Sequence, residues 1–276
     1  MSKILFIDVD GTLTGSKSTT EAPASAVYAV QQARKNGHLA YLCTGRSKAE
    51  VYQPIWDIGF DGMIGGNGCY VEDHGNIVMH QHVSAEQCRH AVDWCHSRNM
   101  EFYLEANSGL YASEHFKDKM IQGLSHQFGD KAEAMCDKFF PDMIYGADLY
   151  REDVNKISYM LNSWQDQLDS RVEFPDLLPG FWGGKEGEAQ FGDLGCKDIT
   201  KGNAVNHLLA YLHRDIKDTI AFGDEAVDIP MFEICGTSVA MGSGQQAAKD
   251  AADYVTADTD DDGLYKAFVH LGLIEK

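Results

Sequence analysis

The sequence predicts an α/β fold, a parallel sheet with helices on both faces, interrupted by an inserted α+β region. Three observations carry that expectation. The chain opens on an apolar run, Ile4-Leu5-Phe6-Ile7, that releases Asp8-Val9-Asp10-Gly11-Thr12 at its end. Strand-like and helix-like segments then alternate to about residue 82, the rhythm of a parallel sheet with crossover helices. The same alternation returns from Asp198 to the end of the chain, after a stretch of different rhythm.

Each element has a local reason. Val27, Val30 and Ala33 stand at helical spacing between Ala22 and Asn36, with Pro23 near the start and Gly37 as a stop. His38–Cys43 reads as the next strand, and Ser47 with Glu50 forms a capping box that opens another helix. Met63-Ile64 is a short buried strand, and His74-Gly75-Asn76 joins Cys69–Asp73 to Ile77–His82 as a hairpin. Ser84 and Gln87 cap a helix over 84–98, followed by a strand at 101–105 and a mixed stretch to about 150. Strand-like segments follow at 156–161, 171–174 and 188–191, among the glycines 180, 183, 184 and 187. The α/β rhythm resumes with a helix at 198–213, a strand Thr219–Phe222 ending in Gly223-Asp224, and a helix at 228–234. A strand Ser238–Met241, a short helix at 245–252 and a helix at 263–271 close the chain. The acidic run Asp258–Asp262 reads as a solvated turn before that last helix.

Bulk properties narrow the function classes. The 276 residues exceed one typical domain and suffice for a sizeable core. With 42 acidic against 23 basic residues the net charge is −19, which argues against a nucleic-acid partner, since such binding rests on Lys and Arg at phosphates. A small phosphorylated ligand remains open, because a metal and one or two cations reverse the local field. Seven scattered cysteines, with no Cys-x-x-Cys, predict neither a disulfide scaffold nor a structural zinc site and suit a reducing compartment. Two aspartates interrupt the first apolar stretch and no run of eighteen apolar residues occurs, so the expectation is a cytoplasmic protein with no membrane segment.

Four places follow predicted strands or open helices, where open α/β sheets bind ligands. Asp8 and Asp10 are two apart, so strand alternation would send both to one side, where they repel unless a cation or a shared proton intervenes. Asp-x-Asp-Gly also occurs in calcium loops, but those ask for further oxygen ligands and a distant Glu, and the next residues are Leu13, Thr14 and Gly15. Thr44-Gly45-Arg46 offers a hydroxyl, backbone N–H groups and a guanidinium to a phosphate. Lys201 could balance clustered carboxylates or a phosphate, although most helical lysines are solvated. Asp224, Glu225 and Asp228 add hard oxygen ligands of the kind that suit Mg²⁺, while an acidic helix start alone would also be favoured by the macrodipole.

Taken together and in this order, these elements resemble the four motifs of the haloacid dehalogenase (HAD) superfamily, and within it the Cof-type phosphatases of subclass IIB. Gly66-Asn67-Gly68, Val239-Ala240-Met241-Gly242 and Asp262-Gly263 resemble further signatures of that group. The resemblance implies a Rossmann-like core over 1–82 and 193–276, with an α+β cap domain of the C2 type at 83–192 that sets substrate specificity. It implies that Asp8 is a nucleophile forming an aspartyl phosphate and that Asp10 acts as acid and then base. Mg²⁺ would be held by Asp8, the backbone carbonyl of Asp10 and Asp224, with Asp228 assisting. Thr44 and Lys201 would hold the phosphoryl oxygens, with Gly11, Gly45 and Arg46 as further phosphate contacts. The implied substrates are small phosphorylated metabolites, sugar phosphates first, then pyridoxal phosphate or flavin mononucleotide, handled by a monomer or small homo-oligomer. A phosphate-binding or sensing module on the same fold, or a phosphomutase, is the alternative. One departure stands out, because the group usually carries Asn where this chain has Val227.

Other patterns read as packing or surface. His80 and His82 project from one strand face without a third ligand nearby and suit a polar hairpin face. Cys88 and Cys95 share a helical face and read as packing. Phe181-Trp182, amid glycines, is the best aromatic candidate for lining a substrate pocket.

Overall fold

The computed structural model describes residues 2–15 and 20–276. The chain divides into two compact units, one formed by Met1–Arg46, Val51–His80 and Ile199–Lys276, the other by Ser47–Glu50 and Gln81–Asp198. Along the chain, the first unit begins with β1 (Ile4–Ile7), α1 (Ala24–Lys35), β2 (Leu39–Cys43), α2 (Gln53–Trp56), β3 (Gly62–Gly65), β4 (Tyr70–Asp73) and β5 (Asn76–His80). The second unit holds α3 (Ala85–Ser97), β6 (Phe102–Ala106), β7 (Gly109–Ala112), α4 (Phe116–Phe128), α5 (Ala132–Phe139), β8 (Met143–Ile144), β9 (Val154–Met160), α6 (Trp164–Glu173), β10 (Leu177–Trp182) and β11 (Phe191–Cys196). The first unit resumes with α7 (Lys201–Leu212), β12 (Thr219–Gly223), α8 (Ile229–Phe232), β13 (Ser238–Ala240), α9 (Gln246–Ala251), β14 (Tyr254–Val255) and α10 (Gly263–His270).

In the first unit eight strands run in the order β14-β13-β12-β1-β2-β3-β4-β5. The six from β14 to β3 are parallel, and β4 pairs antiparallel with both β3 and β5. All four β1 residues are buried because both sheet faces are covered, which is why the strand reads as an unbroken apolar run. Leu5 and Ile7 pack with Val30, Ala33 and Phe268 on one face, while Ile4 and Phe6 pack with Ala204, Leu208 and Met231 on the other. β1 lies between β2 and β12, so the connections leave it in opposite directions. That is the switch point at which open α/β sheets leave a crevice beyond the strand ends.

The second unit is a six-stranded sheet, β10-β11-β9-β6-β7-β8, antiparallel except for the β7–β8 pair. Tyr103, Phe116, Met120, Cys136 and Phe191 form a cluster in it. The Ser84–Gln87 capping box opens α3 as expected, and Cys88 and Cys95 are buried in its packed face.

Four local expectations change, and the first is the strand read at 188–191, which begins only at Phe191 and runs to Cys196. The Ser47–Glu50 bonds form, with Glu50 Oε2 accepting from Ser47 N at 2.7 Å, yet only a single 3-10 turn follows. Pro54 lacks an N–H and its ring would clash with the Glu50 carbonyl, so a separate short helix starts with it in the first turn. Residues 171–174 are not a strand but the end of α6, which is launched by Ser163 with Asp166 closing its box. Val172, apolar and β-branched, faces solvent there at 82% exposure, so its strand preference was outvoted by the cap. The last change is at Asp8 and Asp10, which follow the end of pairing in β1 at Ile7.

Candidate active site

The candidate residues converge beyond the C-terminal ends of β1, β2 and β12. Pairing in β1 stops at Ile7, so strand alternation does not govern the two aspartates. The chain instead closes a tight turn: Leu13 N–H donates to Asp8 O at 3.1 Å, Thr14 N–H to Val9 O at 2.8 Å, and Gly11 N–H to Thr14 O at 2.9 Å. Asp8 is buried and meets Lys201, whose Nζ donates to Asp8 Oδ1 at 2.6 Å. The Asp10 carboxylate, about half exposed, is gripped by the Arg46 fork, Nε to Oδ2 at 2.8 Å and Nη2 to Oδ1 at 2.6 Å. Two carboxylates only two positions apart thus sit in different electrostatic surroundings.

Lys201 stands in the first turn of α7, whose N-cap Thr200 accepts from Asn203 N. Its side chain is fully buried and also donates to Asp228 Oδ1 at 2.5 Å. Burial alone would strip its proton, but Asp228 and Asp8 more than reverse that and hold it charged. Asp228 uses its other oxygen on the backbone, accepting from Asp224 N at 2.9 Å and Glu225 N at 3.0 Å. It therefore shapes the turn after β12 as well as facing the lysine. Asp224 is fixed by the Thr12 hydroxyl, which donates to its Oδ1 at 2.9 Å. Thr12 belongs to the motif read from sequence, but nothing there points to Asp224 as its partner.

Oxygens of Asp8, Asp224 and Asp228 all lie within 4.8 Å of one another, the one such group among the described residues. A single lysine cannot neutralise three carboxylates. Burial raises the Asp8 carboxyl well above its usual range, opposed by Lys201 and reinforced by Asp228 and Asp224. Burial pushes Asp224 up to about 7, opposed by the Thr12 hydroxyl and reinforced by Asp228 and Glu225. Glu225 is raised as well, by burial and then by Asp228. An all-oxygen donor set with unneutralised negative charge fits a hard divalent cation.

Thr44 is buried at the end of β2, and its Oγ1 accepts from Arg46 N at 3.2 Å. Asn67 N–H donates to Thr44 O at 3.1 Å and Gly66 N–H to Arg46 O at 2.8 Å, so the Gly66-Asn67-Gly68 turn braces the Thr44–Arg46 loop. Asn67 Oδ1 is buried beside Gly45 without a hydrogen-bond partner among the described residues. Val227 lies one position before Asp228 and is 41% exposed. Trp182 stacks on Phe191 with centroids 3.9 Å apart, and His80 packs its ring edgewise against Tyr70.

Comparison with known proteins agrees with this geometry. A family model described as haloacid dehalogenase-like hydrolase matches residues 5–268. The chain is 25% identical over 293 residues to phosphatase YwpJ of Bacillus subtilis (strain 168), covering 98% of this chain and 99% of that protein. It is 24% identical over 292 residues to 5-amino-6-(5-phospho-D-ribitylamino)uracil phosphatase YwtE of the same organism, covering 95% of each. The fold is shared with the HAD subclass IIB sugar phosphatase BT4131, at a TM-score of 0.78 and 23% identity over 99% of this chain and 100% of that one. With the family model spanning nearly the whole chain, the protein belongs to the haloacid dehalogenase-like hydrolases.

Proposed function

We propose that this hydrolase is a Mg²⁺-dependent phosphatase of small phosphorylated metabolites, with sugar phosphates the first class to test. The observation that carries the reading is the buried Lys201 held between Asp8 and Asp228, with Asp224 beside them. An ammonium there opposes the protonation that burial favours at Asp8 and offers positive charge to an incoming phosphoryl group. Asp8 attacks phosphorus and becomes an aspartyl phosphate, which splits hydrolysis into two easier steps. Asp10, the more exposed carboxylate, protonates the leaving oxygen and then takes a proton from the attacking water. For that, the substrate has to draw the Arg46 guanidinium away from Asp10, and a phosphate oxygen is a suitable new partner. Thr44 with the Gly45 backbone, and Lys201, hold the phosphoryl oxygens, while Gly11 keeps the approach to the turn open. Asp8, Asp224 and the Asp10 carbonyl would hold Mg²⁺, with Asp228 assisting, and the ion would let an anionic nucleophile meet an anionic phosphate.

Net charge −19 disfavours nucleic-acid substrates, and the names of the two Bacillus relatives support phosphate esters as the class. We assign choice among those esters to the second unit, in line with the resemblance to capped family members. The test is phosphate release from a panel of phosphorylated metabolites with Mg²⁺ or with EDTA, alongside Asp8→Asn. Release that needs Mg²⁺ and is lost in the variant is expected. A folded wild-type chain that releases nothing across the panel, or an Asp8→Asn chain that still turns over, overturns the reading.

A further inference from the structure

The run Asp258–Asp262 reads in sequence as a solvated turn, and its four aspartates are exposed. Thr259 among them is not, at 5% exposure. Its hydroxyl donates to the carbonyl of Gly11, 248 positions earlier in the chain. Behind it, Ser243 Oγ lies 3.2 Å from Thr259 Oγ1 and accepts Thr259 N–H at 3.4 Å. With the threonine proton committed to Gly11, the Ser243 hydroxyl is left to donate to Thr259 Oγ1.

Gly11 sits in the turn that carries Asp8 and Asp10. At φ +83° it adopts a backbone that favours glycine, and a Cβ there would stand 2.2 Å from Asp224 Oδ2. The Asp224 carboxylate therefore lies directly against the turn. On its other side Asp224 is held by the segment that contains Ser243. Gln245 N–H donates to Asp224 O at 2.7 Å, and a Cβ at Gly244 would meet that same carbonyl at 2.6 Å. The contacts close a ring, from Gly11 to Thr259, to Ser243, through Gly244 to Asp224 and back to Gly11. Thr256 and Gly263 anchor the threonine's own turn, with Thr256 Oγ1 donating to Gly263 O at 2.8 Å and Gly263 N–H to Asp258 O at 3.0 Å.

We propose that Thr259, backed by Ser243, is a positioning residue that holds the Asp8–Asp10 turn in register with Asp224. The proposal rests on the roles given to Asp8 and Asp10 above, and neither hydroxyl touches substrate. Replacing Thr259 by valine keeps the shape but leaves the Gly11 carbonyl without its donor, and the turn is then free to shift. A displacement of about 1 Å at such a site costs about 10²-fold in rate. Partners one layer behind a metal ligand are worth about 10–100-fold in metal affinity.

The experiment compares the full-length wild type with Thr259→Val, Thr259→Ser and Ser243→Ala. Three quantities are read: kcat and KM for release of phosphate from p-nitrophenyl phosphate, Mg²⁺ affinity by calorimetry without substrate, and unfolding temperature. Thr259→Val should lower kcat by about 10–100-fold with KM little changed and weaken Mg²⁺ by about tenfold or more, while Thr259→Ser restores most of both. Ser243→Ala should move both in the same direction and less, and it carries the test if the valine variant does not fold. Wild-type kcat and Mg²⁺ affinity in Thr259→Val overturn the proposal. So does a Thr259→Ser chain as impaired as Thr259→Val, since packing and not the hydroxyl would then be at work. A wild type that releases no phosphate refutes the functional reading instead, and Mg²⁺ affinity, measured without turnover, still decides the positioning.

Discussion

Each unit sets a lysine against two carboxylates, and the two arrangements differ in what surrounds them. In the first unit Lys201 meets Asp8 at 2.6 Å and Asp228 at 2.5 Å beyond the ends of the parallel strands. In the second, Lys156 on β9 meets Glu105 on β6 at 3.1 Å and Asp193 on β11 at 3.9 Å, across the middle of a sheet. Glu105 has a further donor, Ser158 Oγ at 2.6 Å, and Ser158 in turn accepts from Trp182 Nε1 at 3.2 Å. The strand ladder holds Lys156 and its partners at fixed register, whereas the carboxylates around Lys201 hang from turns and crowd a third, Asp224. The shorter ion pairs thus belong to the turns and the longer ones to the ladder. Each cluster sets one lysine among three carboxylates, Glu50 being the third around Lys156, but among the described residues only the group at the strand ends brings three carboxylates close enough to share one ion.

Removing each ammonium tests that contrast, and the largest effect belongs to the first unit. Lys201→Met should lower kcat for phosphate release by about 10²–10³-fold, the range for losing one preorganised donor to developing charge. Lys156→Met should leave kcat within a few-fold and instead destabilise the protein by about 3–5 kcal/mol, because Glu105 is left buried without its cation. Kinetics and thermal unfolding on the same two proteins decide the matter. A large rise in KM for Lys156→Met, with stability intact, would move the second cluster from architecture to substrate recognition.

A smaller effect follows from Glu50, which joins the second cluster from the 3-10 turn after Ser47. Burial first and Glu105 second push its carboxyl up from 4.5 to about 8, against Lys156 and the Ser47 hydrogen bonds. The folded state therefore holds this proton more tightly than the unfolded chain does. Its contribution to stability is complete below about pH 4.5 and is lost as pH rises through about 8. Unfolding temperature should fall across that window in the wild type and fall less in Glu50→Gln. Parallel profiles would mean that Glu50 is already ionised near neutrality and that Lys156 serves three carboxylates at once.

The contrast also shows what a linear sequence can reveal. The parallel sheet and the Asp8 loop were legible because burial on both faces makes β1 continuously apolar, and the chain then breaks into Asp-x-Asp-Gly-Thr. The order of the four motifs singled out Asp8, Lys201, Asp224 and Asp228, which the structure brings together. The state of Lys201 was not legible, since a helical lysine has the same local signature whether solvated or buried. Nor was the divergence of Asp8 and Asp10, because strand alternation holds only while pairing lasts and pairing stops at Ile7. In the second unit the Ser84 cap announced α3, whereas residues 171–174 carried strand-forming side chains on a helix whose cap lay eight positions upstream. Thr259 was hidden among aspartates, and only its distant partner gives it meaning.

The smallest predicted effect concerns Val227, where the resemblance to Cof-type phosphatases implies Asn. Val227 presents an apolar, β-branched surface one residue before Asp228, with 41% of it exposed. An exposed apolar side chain there contributes no oxygen ligand and little packing, so replacing it should change stability by no more than about 0.5 kcal/mol. Asparagine at this position adds a carbonyl oxygen and an amide beside a carboxylate cluster that is short of positive charge. Val227→Asn should therefore lower the Mg²⁺ concentration for half-maximal phosphate release by a few-fold while leaving saturated kcat nearly unchanged. The measurement is a Mg²⁺ titration of activity on both proteins at one substrate concentration. If the two curves coincide, the residue before Asp228 lies outside the reach of the metal, and the charge balance around Lys201 rests on Asp8, Asp224 and Asp228 alone.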